Sequence, residues 1–368
     1  MYNLIFLIFF IISYYKMNET IFVSIASYRD NLCSNTLQSL FENAKYPYNI
    51  FVGLCQQNKD GDLDCLTNIN QYKSNIRVIK IPYTEAKGPT YARYLCSTLY
   101  NGETYFFQID SHTLFTKDWD IKCINMLKNL QNNTLNSKII ISHYPRDFED
   151  KQNYENNKTQ VPLMCESHWI NDIISFKGAE IHETNNVLTK HYFIAAGMLF
   201  TNGQFLVDVP FDPDLPYLFT GEEILLSARA YTNGYDIYNP SENIIYHYYI
   251  RKKENKIWND VKEYNDKGAL SKVKYLLKIK EDGLTDDMKK SALLYGLGNK
   301  RTLEQFYKET GININKKTSS FNFCKKNNNF NFQNENENKN KNKKIIYFII
   351  ICLIIIFIFI IVKSKLLK

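Results

Sequence analysis

The stretch "YFFQIDSHTLF" (residues 105–115) decides the predicted fold, because it joins a buried strand to a polar turn. Its first residues are aromatic or apolar, as in a central strand covered on both faces. The strand then ends on Asp110, Ser111 and His112. Side chains alternate along an extended chain, so Asp110 and His112 point to the same side. A carboxylate and an imidazole so placed are candidate ligands for a cation such as Mn²⁺. In the alternative reading, Asp110 caps the following turn and His112 is an ordinary loop residue.

The segments around this stretch alternate between strand and helix patterns. Predicted strands are "TIFVSIASYRD" (20–30), "YNIFVGLCQQN" (48–58), "NIRVIKIPY" (75–83) and "SKIIISHYP" (137–145). Predicted helices are "DNLCSNTLQSLFENAKYP" (30–47), "GPTYARYLCSTLY" (88–100) and "DWDIKCINMLKNL" (118–130). Such alternation predicts an α/β domain with a mainly parallel sheet, and we assign residues 17–315 to it. In sheets of this kind, ligands bind at the carboxyl ends of the strands.

Two common nucleotide-binding motifs are missing from the sequence. No GxGxxG follows the first predicted strand, and no GxxxxGK[ST] occurs anywhere in the chain. These absences argue against a dinucleotide-binding dehydrogenase and a P-loop NTPase. A nucleotide bound by this domain would need a metal, not a glycine-rich loop, to hold its phosphates.

The net charge of +7 comes from the C-terminal part of the chain. The segment 316–344 contains eight lysines and two glutamates, and three more lysines follow residue 362. The body before it is therefore mildly acidic, which predicts no nucleic-acid partner. The Asn- and Lys-rich composition of 316–344 predicts a disordered linker.

Two hydrophobic segments lie outside the predicted domain. Residues 345–362 are 18 uninterrupted apolar residues. As a helix they would extend for about 27 Å, close to the hydrocarbon thickness of a bilayer, which predicts a single-pass C-terminal anchor. The N-terminal segment 1–16 is too short for a typical span and lacks a basic region and a cleavage site. It is either a signal anchor or an artefact, with translation starting at Met17.

Eight cysteines are scattered through the chain without metal-binding spacing. Six lie in the body, where they fit a reducing compartment or three disulfide bridges. Three Asn-x-Thr sequons, at Asn18, Asn132 and Asn157, carry little weight in an Asn-rich chain. We expect a cytosolic catalytic domain on a membrane anchor.

Several motifs together resemble known glycosyltransferase families. "GPTYARYLC…YFFQIDSH" and "FTGEEILLSARAYTNGYDIYNPSENIIYHYYIR" (219–251) resemble segments of the polypeptide GalNAc-transferases. A closer resemblance is to the UDP-GlcNAc:polypeptide (hydroxyproline) GlcNAc-transferases. It is carried by "IFVSIASYRD", "VGLCQQN", "GPTYAR", "QIDSHTLF…WD", "HYPRDFE", "AAGMLF", "FTGEE", "YHYYIRKKENKIW" and "YGLGNKRTLEQFYKETGI". The motifs occur in order over residues 20–311. The resemblance implies a GT-A-like nucleotide-diphosphosugar transferase fold.

The same resemblance implies a metal site and an acidic pair. Asp110, His112 and His247 match the residues that hold Mn²⁺ with the UDP diphosphate. Glu222 and Glu223 match acidic residues that contact donor-sugar or acceptor hydroxyls. Read from the sequence alone, His247 is also consistent with a buried strand histidine. The two glutamates are likewise consistent with an ordinary acidic helix start.

Further residues are expected on the nucleotide side of the site, namely Ser27, Tyr28, Arg29, Asp30, Arg93, Ser111 and Arg251. Tyr28 would stack on the base, and Asp30 would accept from the base or the ribose. The alternatives are an N-cap role for Asp30, a surface ion pair for Arg93 and a solvated turn for Arg251. Trp119 and Trp258 are expected in the core.

The resemblance therefore implies a metal-dependent retaining glycosyltransferase. It would move a sugar, GlcNAc by resemblance, from a UDP-sugar to a polypeptide hydroxyl such as that of hydroxyproline. Alternatives are a different donor sugar or a glycan acceptor, a metal-dependent nucleotidyltransferase, and a non-catalytic glycan- or protein-binding module of the same fold.

Overall fold

The computed structural model describes residues 19–250, 254–262, 264–280 and 283–320. The N-terminal segment 1–16, Arg251, most of the predicted linker and the predicted span 345–362 lie outside the described residues. Every helix within the described residues is too short or too polar to cross a bilayer.

The strands of the described residues follow the predicted pattern in the first half of the chain. In chain order they are β1 (Ile21–Tyr28), β2 (Ile50–Asn58), β3 (Ile76–Pro82), β4 (Tyr105–Asp110), β5 (Thr113–Phe115), β6 (Ile139–Ser142), β7 (Arg146–Asp147), β8 (Gln160–Leu163), β9 (Ser167–Ile170), β10 (Ile173–Phe176), β11 (Glu180–Glu183), β12 (Lys190–His191), β13 (Met198–Asn202), β14 (Asp236–Tyr238), β15 (Ile245–His247), β16 (Ile312–Asn313) and β17 (Thr318–Ser319).

Eight of these strands form a central sheet in the spatial order β12-β14-β6-β13-β4-β1-β2-β3. Strands β4, β1, β2 and β3 run parallel to one another, and β14 is parallel to β6. Strand β13 is antiparallel between β4 and β6, and β12 is antiparallel to β14. A smaller sheet has the order β5-β15-β7. The mainly parallel α/β architecture expected from the sequence is confirmed.

The helices include the three that the sequence predicts. They are α1 (Cys33–Glu42), α2 (Pro89–Ser97), α3 (Trp119–Thr134), α4 (Tyr154–Asn157), α5 (Phe205–Asp208), α6 (Glu222–Thr232), α7 (Ile257–Asp260), α8 (Lys267–Leu276), α9 (Asp286–Leu294) and α10 (Leu303–Thr310). Single 3₁₀ turns lie at Pro47–Asn49, Lys73–Asn75 and Tyr83–Glu85, and a longer one at Phe148–Asn153.

Helices cover both faces of the central sheet, which explains why its strands are apolar on both sides. Val23 of β1 belongs to a core that includes Leu37 of α1 and Trp119 of α3. The neighbouring residue Phe22 points the other way, into a core that includes Leu226 of α6. This alternation is the period-2 geometry of a strand. The burial of Trp119 agrees with its predicted core position.

The C-terminal helices support α6 from behind. Residues of α6, α8, α9 and α10 share one hydrophobic core. An ion pair at its edge joins Lys272 Nζ to Asp212 Oδ2 at 2.6 Å, with both side chains fully buried. A buried charge is tolerated when it is paired, so this contact ties the loop before α6 to helix α8.

The described cysteines include both disulfide-bonded residues and free thiols. Cys33, at the start of α1, is disulfide-bonded to Cys65 in the loop after β2. Cys55, Cys96 and Cys123 are buried free thiols. Stable disulfides are typical of proteins that fold in oxidising compartments. The bond attaches α1 to the β2–β3 connection, at the carboxyl edge of the sheet.

Candidate active site

The carboxyl ends of β1 and β4 lie side by side and carry the residues singled out in the sequence. In the parallel register, Ala26 of β1 is paired with Asp110 of β4. The residues after Ala26 and after Asp110 therefore leave the sheet at the same edge, where an α/β sheet binds its ligands.

Asp110, His112 and His247 meet at this edge. One ligand atom from each residue lies within 4.8 Å of the others. His247 is brought there by β15, which pairs antiparallel with β5 and places His247 opposite Thr113. His247 Nε2 lies 3.0 Å from Asp110 Oδ2, and the centroids of the two imidazole rings are 4.6 Å apart.

The surroundings of this cluster fit a bound cation. Within the described residues, the buried Nδ1 of His247 has no hydrogen-bond partner. A Cβ at Gly197 would lie 3.0 Å from Asp110 Oδ2, closer than an ordinary contact, so a side chain at this position would crowd the cluster. One carboxylate and two imidazoles suit a divalent ion of intermediate softness, such as Mn²⁺.

Arg93 connects the cluster to the acidic pair. It is 5% exposed, and its Nη2 lies 2.8 Å from Asp110 Oδ1 while its Nη1 donates to Glu222. Burial alone would raise the pKa of Asp110, but the hydrogen bond from His247 and the charge of Arg93 outweigh it and hold that pKa far below its usual range. Arg93 is thus a buried bridge, and the surface ion-pair alternative does not describe it.

The two glutamates at the start of α6 have different surroundings. Burial raises the pKa of Glu222, although its partner Arg93 opposes the shift. Burial also raises the pKa of Glu223, to about 7, against the hydrogen bonds it accepts from Tyr144 and Ala196. Those bonds run from the Tyr144 hydroxyl at 2.5 Å and the Ala196 N–H at 2.8 Å. Glu222 therefore forms an ion pair with Arg93, whereas Glu223 accepts hydrogen bonds from uncharged donors.

The expected nucleotide-side residues after β1 point in different directions. Tyr28 and Asp30 line the cavity, but Ser27 is fully buried with its Oγ 3.5 Å from Cys65 Sγ. Arg29, in a left-handed conformation (φ 46°), pairs with Asp62 at 2.8 Å and with Asp260 at 2.9 Å. Nucleotide contact by these residues stays a prediction.

A cavity of about 530 Å³ opens over the cluster. Its charged and polar lining residues include Asp110, Ser111, His112, His247, Arg93 and both glutamates. Its apolar and aromatic lining residues include Tyr144, Pro145, Ile174, Phe176, Phe219, Tyr249 and Trp258. Such a mixed lining suits a ligand with a charged part and an apolar part.

Sequence reasoning missed two residues that line this cavity, Trp258 and Tyr144, and one that binds its lining residue Tyr28, Asp260. Trp258, expected in the core, is 46% exposed and contacts Phe219 with ring centroids 5.7 Å apart. Tyr144 binds Glu223, and Asp260 receives hydrogen bonds from Tyr28 and Arg29. None of these residues sits in a local pattern that would have shown its partner. Gly197, by contrast, lies in the "AAGMLF" motif and was available as a signal.

A second cluster of potential ligands does not form a metal site. Cys165, Glu180 and His182 also have ligand atoms within 4.8 Å of one another. The Cys165 sulfur is in a disulfide, however, so it is not a thiolate. The absence of metal-binding cysteine spacing in the sequence agrees with this.

The fold and the site are those expected of a glycosyltransferase, the class that the family comparison shows for this chain. The family model "Glycosyltransferase (GlcNAc)" matches residues 20–73 and 67–316. This is most of the chain, and the protein therefore belongs to that family.

Solved structures are similar to this chain at low sequence identity. A crystal structure of GalNAc-T7 with UDP, GalNAc and Mn²⁺ has a TM-score of 0.55 at 12% identity, over 79% of this chain and 57% of that chain. A crystal structure of S. aureus TarS 1–349 with UDP-GlcNAc has a TM-score of 0.43 at 15% identity, over 75% of this chain and 71% of that chain. No curated protein matches the sequence.

Proposed function

We propose that this protein is a metal-dependent retaining glycosyltransferase that moves GlcNAc from UDP-GlcNAc to a polypeptide hydroxyl such as that of hydroxyproline. The observation that carries the proposal is the meeting of Asp110, His112 and His247 in a cavity that also contains Glu222 and Glu223. The family membership and the Mn²⁺ and UDP found with GalNAc-T7 support it.

The roles of the chain's own residues follow from their contacts. Asp110, His112 and His247 would hold the cation, which supplies positive charge to a diphosphate leaving group. Arg93 fixes the position of Asp110 and of Glu222 at the same time. Because Glu222 and Glu223 line the same cavity, they can accept hydrogen bonds from sugar or acceptor hydroxyls.

Retention of configuration is proposed to need no dedicated base. The acceptor would attack from the face that UDP leaves, and the departing phosphate would take the acceptor proton. Fixed positive charge near the leaving group then carries much of the rate enhancement. For that reason neither glutamate is assigned as a general base.

The apolar part of the cavity lining favours an acceptor with an apolar ring next to the reacting hydroxyl. Tyr144, Pro145 and Phe176 line the cavity, and the Tyr249 hydroxyl donates to the Pro145 carbonyl at 2.8 Å. A pyrrolidine ring would find apolar contacts there, which supports hydroxyproline as the acceptor.

A donor and acceptor panel on the full-length chain tests the proposal. We expect UDP-GlcNAc to be turned over both with and without a hydroxyproline peptide. This turnover should require Mn²⁺, and it should exceed the turnover of UDP-GalNAc, UDP-Glc and UDP-Gal. A matching proline peptide is the acceptor control, and Asp110→Ala is the metal-site control. Failure to bind or turn over any UDP-sugar in Mn²⁺ would reject the enzyme and favour a binding module.

We further propose that the predicted single-pass anchor at 345–362 holds the protein in a membrane. The Cys33–Cys65 disulfide favours an oxidising compartment for the catalytic domain over the expected cytosol. Protease protection in sealed membranes decides between the two, since a cytosolic domain is digested without detergent and a lumenal one is not.

A further inference from the structure

Asp30 has contacts that its predicted role does not explain. Its side chain is 1% exposed, which leaves almost no surface for a base or a ribose. Its Oδ2 lies 2.7 Å from His112 Nδ1 and also accepts a hydrogen bond from Ser111 Oγ at 2.7 Å. Its Oδ1 accepts from the Leu32 N–H at 2.9 Å. The carboxyl group therefore faces the residues after β4, from the end of the neighbouring strand β1.

These contacts determine which nitrogen of His112 is available. A carboxylate accepts hydrogen bonds and cannot donate, so Nδ1 of a neutral His112 must carry the hydrogen. The lone pair is then on Nε2, the atom that remains for a cation. Carboxylates that hold metal-binding histidines in this way set both the tautomer and the ring orientation.

Helix α1 fixes the backbone on both sides of His112. Thr36 Oγ1 donates to the Ser111 carbonyl at 2.8 Å and accepts from the Thr113 N–H at 2.9 Å. With the backbone held, rotation of the imidazole is the main remaining freedom of His112. Asp30 is the group that restrains it.

We infer that Asp30 is a positioning residue for the metal ligand His112 and does not bind the nucleotide. This inference rests on the proposed metal-dependent function. It revises the expected contact between Asp30 and the base or ribose, and it gives the "SYRD" segment a role in the cation site.

Two substitutions and a matched control test the inference in the full-length protein. In Asp30→Asn, the amide oxygen can still accept the hydrogen bond from the Leu32 N–H, so the amide NH₂ faces His112 Nδ1 and donates to it. This favours the tautomer of His112 that carries its hydrogen on Nε2. Asp30→Ala removes the restraint altogether. Asp62→Asn is the control, because Asp62 also lies at this edge of the sheet but pairs with Arg29.

Mn²⁺ affinity, measured by EPR without nucleotide, is the first readout. Both Asp30 variants are expected to lose about 10–100-fold, as for other partners of metal-binding histidines, while Asp62→Asn stays within two-fold of wild type. UDP affinity without metal should not change. A folded Asp30→Asn protein with wild-type Mn²⁺ affinity, or one that loses UDP binding without metal, would overturn the inference.

The second readout is the ¹⁵N NMR spectrum of the histidine side chains, assigned with His112→Gln among the six histidines. In metal-free protein we expect the Nδ1–H tautomer of His112 in wild type and in Asp62→Asn, and its loss in Asp30→Asn. An unchanged tautomer would contradict the inference. Because this readout needs no metal, it tests the inference even if the wild-type protein binds no Mn²⁺. That result would reject the proposed metal-dependent function and not the contact between Asp30 and His112.

Discussion

Arg93 Nη2 lies 2.8 Å from Asp110 Oδ1, and the other nitrogen of the same guanidinium binds Glu222. The buried guanidinium of Arg93 therefore contacts Asp110 of the metal cluster and Glu222 of the acidic pair. The two carboxylates come from β4 and α6, so the contact also joins the central sheet to helix α6.

Arg93→Met should destabilise the protein by about 3–5 kcal/mol, because it removes the charged partner of two carboxylates, the buried Glu222 and the partly buried Asp110. Urea unfolding measures the loss. The double variant Arg93→Met/Glu222→Gln should recover part of it, since one of those carboxylates is then neutral. Lys278→Met, which breaks an exposed pair with Glu304, should cost at most about 1 kcal/mol. Equal losses for the two single variants would contradict the buried-bridge interpretation.

Gly197→Ala should weaken Mn²⁺ binding while the protein stays folded. The added Cβ would lie 3.0 Å from Asp110 Oδ2 and 3.8 Å from His247 Cδ2, so it occupies space beside the cluster. We expect at least a ten-fold loss of Mn²⁺ affinity by EPR. Gly178→Ala is the matched control, because no described atom lies within 4 Å of its added Cβ. Unchanged affinity in Gly197→Ala would place the metal elsewhere.

Stability should depend on pH through Glu223. Its pKa in the folded protein is about 7, above the ordinary 4.5, so the folded state binds the proton more tightly than the unfolded chain. The resulting stabilisation is complete below about pH 4.5 and is lost as the pH rises through 7. Relative to Glu223→Gln, the wild type should lose roughly 1–3 kcal/mol between pH 5 and 8.

Urea unfolding of both proteins across this pH range checks the prediction. Glu304→Gln is the control, because Glu304 is exposed and its pKa lies below the ordinary value. A wild type that becomes more stable than Glu223→Gln as the pH rises would show that Glu223 is ionised in the fold at acidic pH.

Asp260→Asn should loosen the segment 254–262, which carries Trp258 over the cavity. Asp260 Oδ2 accepts from the Tyr28 hydroxyl at 2.8 Å and from Arg29 Nη1 at 2.9 Å, so the substitution removes the charge that both donors contact. Hydrogen exchange by mass spectrometry should show faster exchange in this segment and no change in β1. Asp287→Asn, at a 94% exposed side chain, should leave the segment unaffected. Equal exchange in wild type and Asp260→Asn would mean that other contacts hold the segment.

Local patterns predicted much of the fold. Leu37, Leu40 and Phe41 occur at helical spacing in the sequence and are all buried on one side of α1. The apolar run before Asp110 is a strand buried on both faces, and it ends at the predicted edge of the sheet. These features depend on neighbours a few residues apart, and hydrophobic burial makes such patterns visible in the sequence.

The partners within the site depend on distant parts of the chain. Asp110 and His247 are 137 residues apart, and Arg93 and Glu222 are 129 apart. Only the family resemblance pointed to His247 as a ligand, and nothing local distinguished Glu222 from Glu223. Trp258 was expected in the core because an isolated tryptophan is usually buried, but its helix lies at the cavity mouth.

The sequence by itself determined the alternating elements, the central strand and the polar residues at its carboxyl end, because these follow from side-chain periodicity within single elements. Only the tertiary structure decided that Asp30 faces His112, that Arg93 joins Asp110 to Glu222, and that β15 brings His247 to the cluster. Those contacts depend on strand order and helix packing, which bring residues together through the burial of the whole domain.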